Sequence, residues 1–214
     1  MGRNLRFLQA ADNTRPYRSH RFDVFGPKIG RRLTLFGQLP MSYWVLIESD
    51  YTVEGYCERP VLIPDAKPAR VVDYWVKRHE QEEFWFLLRP SEIALPKDKS
   101  IVPPAFQAWA DSQSIVIKCI VPEESDSQEI YFKNWGTMIR YISSNMSFVT
   151  QDLVQNVEKF ISKPRTVGEL ETYFGEDDPM LVRTALFSLI HSGKITCQNL
   201  DSALIGLGST VEAI

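Results

Sequence analysis

A mixed α/β chain in two domains is what the sequence predicts, on three observations. The chain has 214 residues, longer than one typical domain. Its first part is punctuated by short runs rich in β-branched and aromatic residues, such as ARVVDYWVK and EFWFLL, which read as strands. From Glu129 the apolar spacing becomes helical, with Tyr131, Trp135, Met138 and Ile142 at i, i+4, i+7 and i+11. Hydrophobic residues at 44% and charged residues at 24% exclude a disordered or collagen-like class. Cys57, Cys119 and Cys197 lie far apart and form no CxxC pair, so neither a zinc site nor a disulfide framework is expected, and a reducing compartment fits. Met1 to Asn13 contains no apolar run long enough for a signal peptide. Nothing later reaches the roughly 18 apolar residues of a membrane span. The expectation is a cytoplasmic protein with no membrane partner.

Taken in order, Arg21–Phe25 and Arg31–Phe36 flank the turn formers Gly26-Pro27-Lys28-Ile29-Gly30 and predict a hairpin. Pro40 suits the first turn of a mostly buried helix over Met41–Glu48. Val53–Cys57 and Val61–Ile63 read as short strands. Ala69–Lys77 and Glu83–Leu88, joined by the polar Arg78–Glu82, read as the central ones. Pro103-Pro104 opens a helix over Ala105–Asp111, Ile115–Val121 reads as another strand of buried type, and the acidic Pro122–Gln128 as a surface loop. A domain boundary is expected near Ser143–Phe148, dividing the chain into 1–146 and 147–214.

Beyond it, Asp152–Ser162 predicts a helix burying Leu153, Val157, Phe160 and Ile161. Thr166-Val-Gly-Glu169 is a capping-box sequence opening a short helix to Phe174. Asp178 as cap with Pro179 behind it opens a third, with Val182, Ala185, Leu186, Leu189 and Ile190 on one face and Gly193 at its end. Lys194–Gln198 and Ser209–Ala213 then form a strand pair. Three helices, a tight turn and a strand pair in so short a segment predict a small winged-helix domain.

The net charge of −3 hides an asymmetry. Residues 1 to 36 carry eight basic groups (Arg3, Arg6, Arg15, Arg18, Arg21, Lys28, Arg31, Arg32) against Asp12 and Asp23, whereas 37–146 count to −5 and 147–214 to −4. A basic arm is the usual footprint of a phosphate-backbone binder, since each neutralised phosphate releases counterions. A solvated basic surface without a partner is the alternative. The third helix of the second domain offers only Arg183 and His191 to DNA and leads with Glu176-Asp177-Asp178. That end would repel phosphates, so protein docking is expected of this domain rather than base reading. His191 reads as a surface residue near a helix end, and Glu48 and Asp50 as solvated or capping residues.

A metal-dependent nuclease of the PD-(D/E)xK type needs a carboxylate on one core strand, and two more ligands, a Glu or Gln among them, with a lysine two residues on in the adjacent strand; its carboxylates hold Mg²⁺ to activate water. Asp73 within VVDYWV and the following strand ending Phe86–Pro90 (FLLRP) have that order. With Glu48–Pro60 (ESDYTVEGYCERP), the stretch from His20 to Pro90 resembles the N-terminal domain of the TnsA family, endonuclease subunits of heteromeric cut-and-paste transposases. The resemblance covers about a third of the chain. It implies a restriction-endonuclease-like mixed sheet followed by a winged helix, transposon-end DNA as ligand, and a DDE-type transposase subunit and an AAA+ ATPase regulator as protein partners. Asp73 would be the catalytic remnant. Where the family has Glu-x-Lys this chain has Leu87-Leu88-Arg89, so Arg89 stands at the lysine position, and the family's helix Glu has no counterpart between Gly37 and Leu46.

One carboxylate does not hold a hard divalent ion, so no metal is expected and loss of cleavage follows. A rebuilt site would need Glu82, Glu83 or Glu92 beside Asp73 and would then take Mg²⁺. Arg18, Arg21, Lys28, Arg31 and Arg32 are the expected DNA contacts, and Asp73 paired with Arg70 or Arg89 is the structural alternative for that carboxylate. Trp75, Trp85 and Phe86 read as core. An active Mg²⁺-dependent endonuclease cutting transposon 5′ ends, and a winged-helix regulator or adaptor unrelated to transposition, are the competing functions.

Overall fold

The computed structural model describes residues 5–64, 66, 69–94, 101–122 and 128–214; Arg3 and most of the expected loop 122–128 lie outside them. The chain forms two compact units, 1–47 with 52–124, and 48–51 with 125–214. Both mix helices and sheet. Among the described residues no helix is long and apolar enough to cross a membrane.

In the first unit, β1 (Arg21–Gly26) and β2 (Arg31–Phe36) make the expected antiparallel hairpin, with Gly30 at φ +64° closing the turn. Alternation splits its side chains. Arg31 shares the inward face with Leu33 and Leu35, while Arg32 shares the outer face with Phe25. Helix α1 (Gln38–Ser49) follows, then β3 (Val53–Glu58), β4 (Leu62–Ile63), β5 (Arg70–Val71), β6 (Tyr74–Arg78) and β7 (Gln81–Leu87). A single turn α2 (Pro90–Ile93), α3 (Pro104–Ser112) and β8 (Ile115–Ile120) complete the unit. The main sheet has the order β3-β6-β7-β8, antiparallel except for the parallel pair β7 and β8.

The two faces of this sheet have different chemistry. On one, Cys57, Trp75, Phe84 and Phe86 form a fully buried apolar layer against Phe106 and Ala110 of α3, and Phe7 lies edge-on to Trp75 at 5.4 Å. Leu5 joins that layer by crossing Gly55, where a Cβ would stand 2.5 Å from a Leu5 methyl. On the other face, Tyr56, Tyr74 and Trp85 meet α1. There Trp44 Nε1 donates to the Tyr56 hydroxyl at 2.7 Å, and the Tyr74 hydroxyl donates to the Pro40 carbonyl at 2.7 Å.

Two strands differ from the sequence reading. The run Ala69–Lys77 is broken at Val72-Asp73, because β5 pairs with β4 while β6 pairs with β3 and β7. The expected buried strand β8 is the edge of its sheet, with Val116 at 46% exposure, so its apolar sequence is covered on fewer sides than a central strand would be.

The second unit begins at 125 rather than 147, because the helix α4 (Glu129–Asn145) packs against α7 (Pro179–His191) through Tyr141 and Phe187, 5.3 Å apart edge-on. A 3-10 turn (Met146–Phe148), α5 (Gln151–Phe160), β9 (Arg165–Thr166) and α6 (Val167–Tyr173) lie between them, and β10 (Ile195–Cys197) and β11 (Thr210–Ala213) close the chain in a three-stranded antiparallel sheet ordered β10-β11-β9. The caps are as expected. Thr166 and Glu169 form a reciprocal capping box, and Asp178 accepts from Met180 N ahead of Pro179. Val154 and Val157 of α5 and Ile161 at its C-cap are buried, while Leu153 and Phe160 are only half-buried; Phe160 stacks on Tyr173 at 4.4 Å.

Candidate functional site

The break between β5 and β6 positions Asp73. Its backbone N–H donates to Trp85 O at 3.0 Å and its carbonyl accepts from Arg59 N at 2.9 Å, so the backbone is fixed from both sides. The carboxylate then reaches across to the end of β7, where Oδ2 accepts the Leu87 N–H at 2.8 Å and lies 3.1 Å from Arg70 Nη2. Burial pushes the Asp73 carboxyl up, opposed first by the Arg70 charge, then by the Leu87 N–H, with Arg89 adding a smaller pull downward. Asp73, Leu87 and Arg89, distant in sequence, line one cleft of about 380 Å³ together with Glu58, Arg59 and Arg70.

Arginine supplies most of its charge. Arg70, with 7% of its side chain exposed, lies over the Phe86 ring at 5.6 Å and donates to Leu87 O at 2.9 Å. Its Nε is 3.0 Å from Glu92 Oε1. Glu92 is placed by α2, since its Oε2 accepts the Arg89 N–H at 2.8 Å. Arg59 is held by Asp12 and by the Thr14 carbonyl, with its guanidinium over the Phe36 ring. Arg89 itself is exposed at the rim.

The expected DNA contacts are less uniform than their count suggests. Arg31 forms a two-pronged ion pair with the buried Glu58, at 2.9 and 2.6 Å, so it is part of the framework and is not presented outward. Arg21 is paired with Asp23 at 3.0 Å on the exposed face. Arg18 and Arg32 are exposed, Arg18 lying over the ring of its neighbour Tyr17, and Lys28 is partly buried in the turn.

The candidate replacement ligands have other partners. Glu82 accepts from Trp75 Nε1 at 2.9 Å and pairs with Arg6. Glu83 is held by Lys118, Arg78 and Trp85 Nε1. Among the described residues no group of three or more His, Cys, Asp or Glu side chains is arranged to hold a metal ion. The thiols are not arranged for chemistry either. Burial pushes Cys57 up to about 12 and Cys197 to about 11, while Cys119 is exposed.

In the second unit the helix that would enter a DNA groove is enclosed. Val182, Thr184, Ala185, Leu186, Phe187, Leu189 and Ile190 of α7 are all buried, and Arg183 is paired with Glu171. Glu48 and His191 overturn their sequence reading. Both belong to this unit, Glu48 is fully buried, and His191 Nε2 lies 2.7 Å from its Oε2. Asn134 ties down the segment between β10 and β11, donating to Leu200 O and Ala203 O at 2.8 and 2.7 Å and accepting from Ile205 N at 2.9 Å. That segment carries no Lys or Arg.

Sequence reasoning missed Glu58 and Arg59 as cleft residues. Their one signal was a charged Glu-Arg pair at the end of β3, just ahead of Pro60. Compared with known proteins, the chain matches no family model and no curated protein.

Proposed function

We propose that the chain is a TnsA-like subunit of a heteromeric DNA transposition system whose nuclease site no longer cuts. In this reading it holds transposon-end DNA through the first unit and engages a DDE-type transposase and an AAA+ ATPase through the second. The observation that carries the reading is the meeting of Asp73, Leu87 and Arg89 in one cleft at the ends of adjacent antiparallel strands. A nuclease of that type needs a ligand at the Leu87 position and a lysine at Arg89. An apolar side chain and a guanidinium in those places support an inherited and degenerate site.

For the second unit, the chain order α5-β9-α6-α7-β10-β11 with sheet order β10-β11-β9 supports a winged helix. The burial of α7 and the absence of basic residues between β10 and β11 favour protein docking over groove reading. The test is binding and cleavage of labelled duplex carrying the ends of the element that encodes the chain. It is run in Mg²⁺ and in Mn²⁺ with the partner transposase, comparing wild type with Asp73→Ala. End-specific binding without nicking is expected. Nicking at the 5′ ends that Asp73→Ala abolishes would restore the active-endonuclease reading, and no DNA binding in the presence of the transposase would favour an adaptor unrelated to transposition.

A further inference from the structure

Three oxygens converge on one nitrogen in the cleft. Arg70 Nη2 lies 2.9 Å from Leu87 O, 3.1 Å from Asp73 Oδ2 and 3.4 Å from Glu92 Oε2. Two carboxylates and a backbone carbonyl, all hard oxygen donors from three separate segments, form the kind of donor set that Mg²⁺, Mn²⁺ or Ca²⁺ selects, with water completing the shell. The three side chains are shielded, Arg70, Asp73 and Glu92 exposing 7, 20 and 15%. Both carboxylates, shielded as they are, lie against the same guanidinium, whose charge offsets part of the cost of holding them out of water. The chain supplies it from β5.

We propose that the Arg70 guanidinium is a built-in cation that occupies, from within the chain, the place a divalent metal ion would take among Asp73, Glu92 and the Leu87 carbonyl, and that removing it uncovers a divalent-metal site. The inference deepens the reading of the cleft as a nuclease-like site and rests on that reading for its functional sense. It adds a cause of inactivity that the loss of Glu-x-Lys alone does not contain: a metal is excluded even though oxygen ligands remain. The guanidinium is well suited to this role. Its planar fork reaches both carboxylates at once, and stacking on Phe86 holds it in register. Its N···O distances exceed metal–oxygen bond lengths by roughly 0.5–1 Å, so the carboxylates need to move inward only by about that much to close on an ion. Arg70→Ala also changes the charge balance in the metal's favour. Two carboxylates with Arg70 sum to −1, and the same pair with a divalent ion sums to zero.

The experiment is Mn²⁺ binding to the full chain, followed by loss of the free-ion paramagnetic resonance signal, without DNA or partner. Wild type, Asp73→Asn, Arg70→Ala, and Arg70→Ala combined with Asp73→Asn are compared. The expected result is one Mn²⁺ bound by Arg70→Ala at least about tenfold more tightly than by wild type, a gain of roughly 1.4 kcal/mol, and lost again with Asp73→Asn. Wild type binding one Mn²⁺ in an Asp73-dependent way would overturn the proposal, as would a folded Arg70→Ala that binds no better than wild type. Should Arg70→Ala fail to fold alone, Arg70→Gln is melted with and without Mn²⁺. A rise in melting temperature absent from wild type is expected, and an unchanged one counts against the built-in cation. Metal binding by Arg70→Ala in a protein that ignores transposon ends would leave this inference standing and remove the transposition reading.

Discussion

Glu83 lies on β7 with 1% of its surface exposed, and three donors surround it: Lys118 at 2.6 Å, Arg78 at 2.8 Å and the Trp85 indole at 2.7 Å. Burial alone would raise its carboxyl. The bonds from Lys118 and Trp85 and the Arg78 charge outweigh it and hold the group below the ordinary range. A carboxyl depressed in the fold stabilises it above its unfolded value near 4.5, and that stability is lost as pH falls through the lower folded value. Glu83→Gln should therefore cost about 2 kcal/mol near neutral pH, and the gap from wild type should narrow as pH falls below 4.5, read by urea melts across an acid series. His191 is a second case. His191→Ala leaves the buried Glu48 carboxylate without its imidazole partner, at about 3 kcal/mol by thermal or urea unfolding. Neither environment was legible. A Glu in a strand run and a His at a helix end carry no mark of the partner, because Lys118 and Glu48 arrive from segments distant in sequence.

At the scale of elements, what was legible was local. Gly26 to Gly30 announced the hairpin, Thr166 with Glu169 and Asp178 with Pro179 announced two helix starts, and each forms through contacts within a few residues. The break at Val72-Asp73 was not legible, since the apolar run is continuous and only the change of pairing partner from β4 to β3 and β7 interrupts it. The same reasoning explains α4. Its Trp135, Met138 and Ile142 face marked a helix, yet an apolar stripe does not say which core it joins, and it joins α7. The cleft was half legible. Asp73 was singled out by its place ahead of a second core strand and Arg89 only through the family resemblance, while the position of Glu92 depends on the single turn α2, too short to carry a periodic pattern. From the same α4, Asn134 makes three hydrogen bonds to the segment between β10 and β11. Asn134→Ala should cost about 2 kcal/mol and speed amide exchange at Ile205, measured by hydrogen exchange against β11 as the internal standard.

For the whole molecule, the distribution of charge decides how it meets a polyanion. Eight basic residues precede Gly37, but Arg6, Arg21 and Arg31 are matched to Glu82, Asp23 and Glu58. Counting charges along the sequence therefore overstates the surface field. If the proposed DNA contacts hold, each phosphate neutralised adds about −0.9 to the slope of log affinity against log salt. Arg32→Ala should flatten that slope by about one contact. Arg31→Ala should leave the slope near wild type and lower the unfolding midpoint instead, because its charge is spent on Glu58. Equal flattening by both would show that the ion pair opens on DNA.

The cysteines divide the molecule in a way useful to a spectroscopist. Burial pushes all three thiols up, but Cys57 and Cys197 are sealed from solvent whereas Cys119 is exposed on the edge strand, paired in register with Phe86, whose ring lies under Arg70. A maleimide dye near neutral pH should accordingly add once per folded chain, at Cys119, and three times after denaturation, without any cysteine having to be removed. The native protein thus carries its own single attachment point, one strand away from the cation in the cleft.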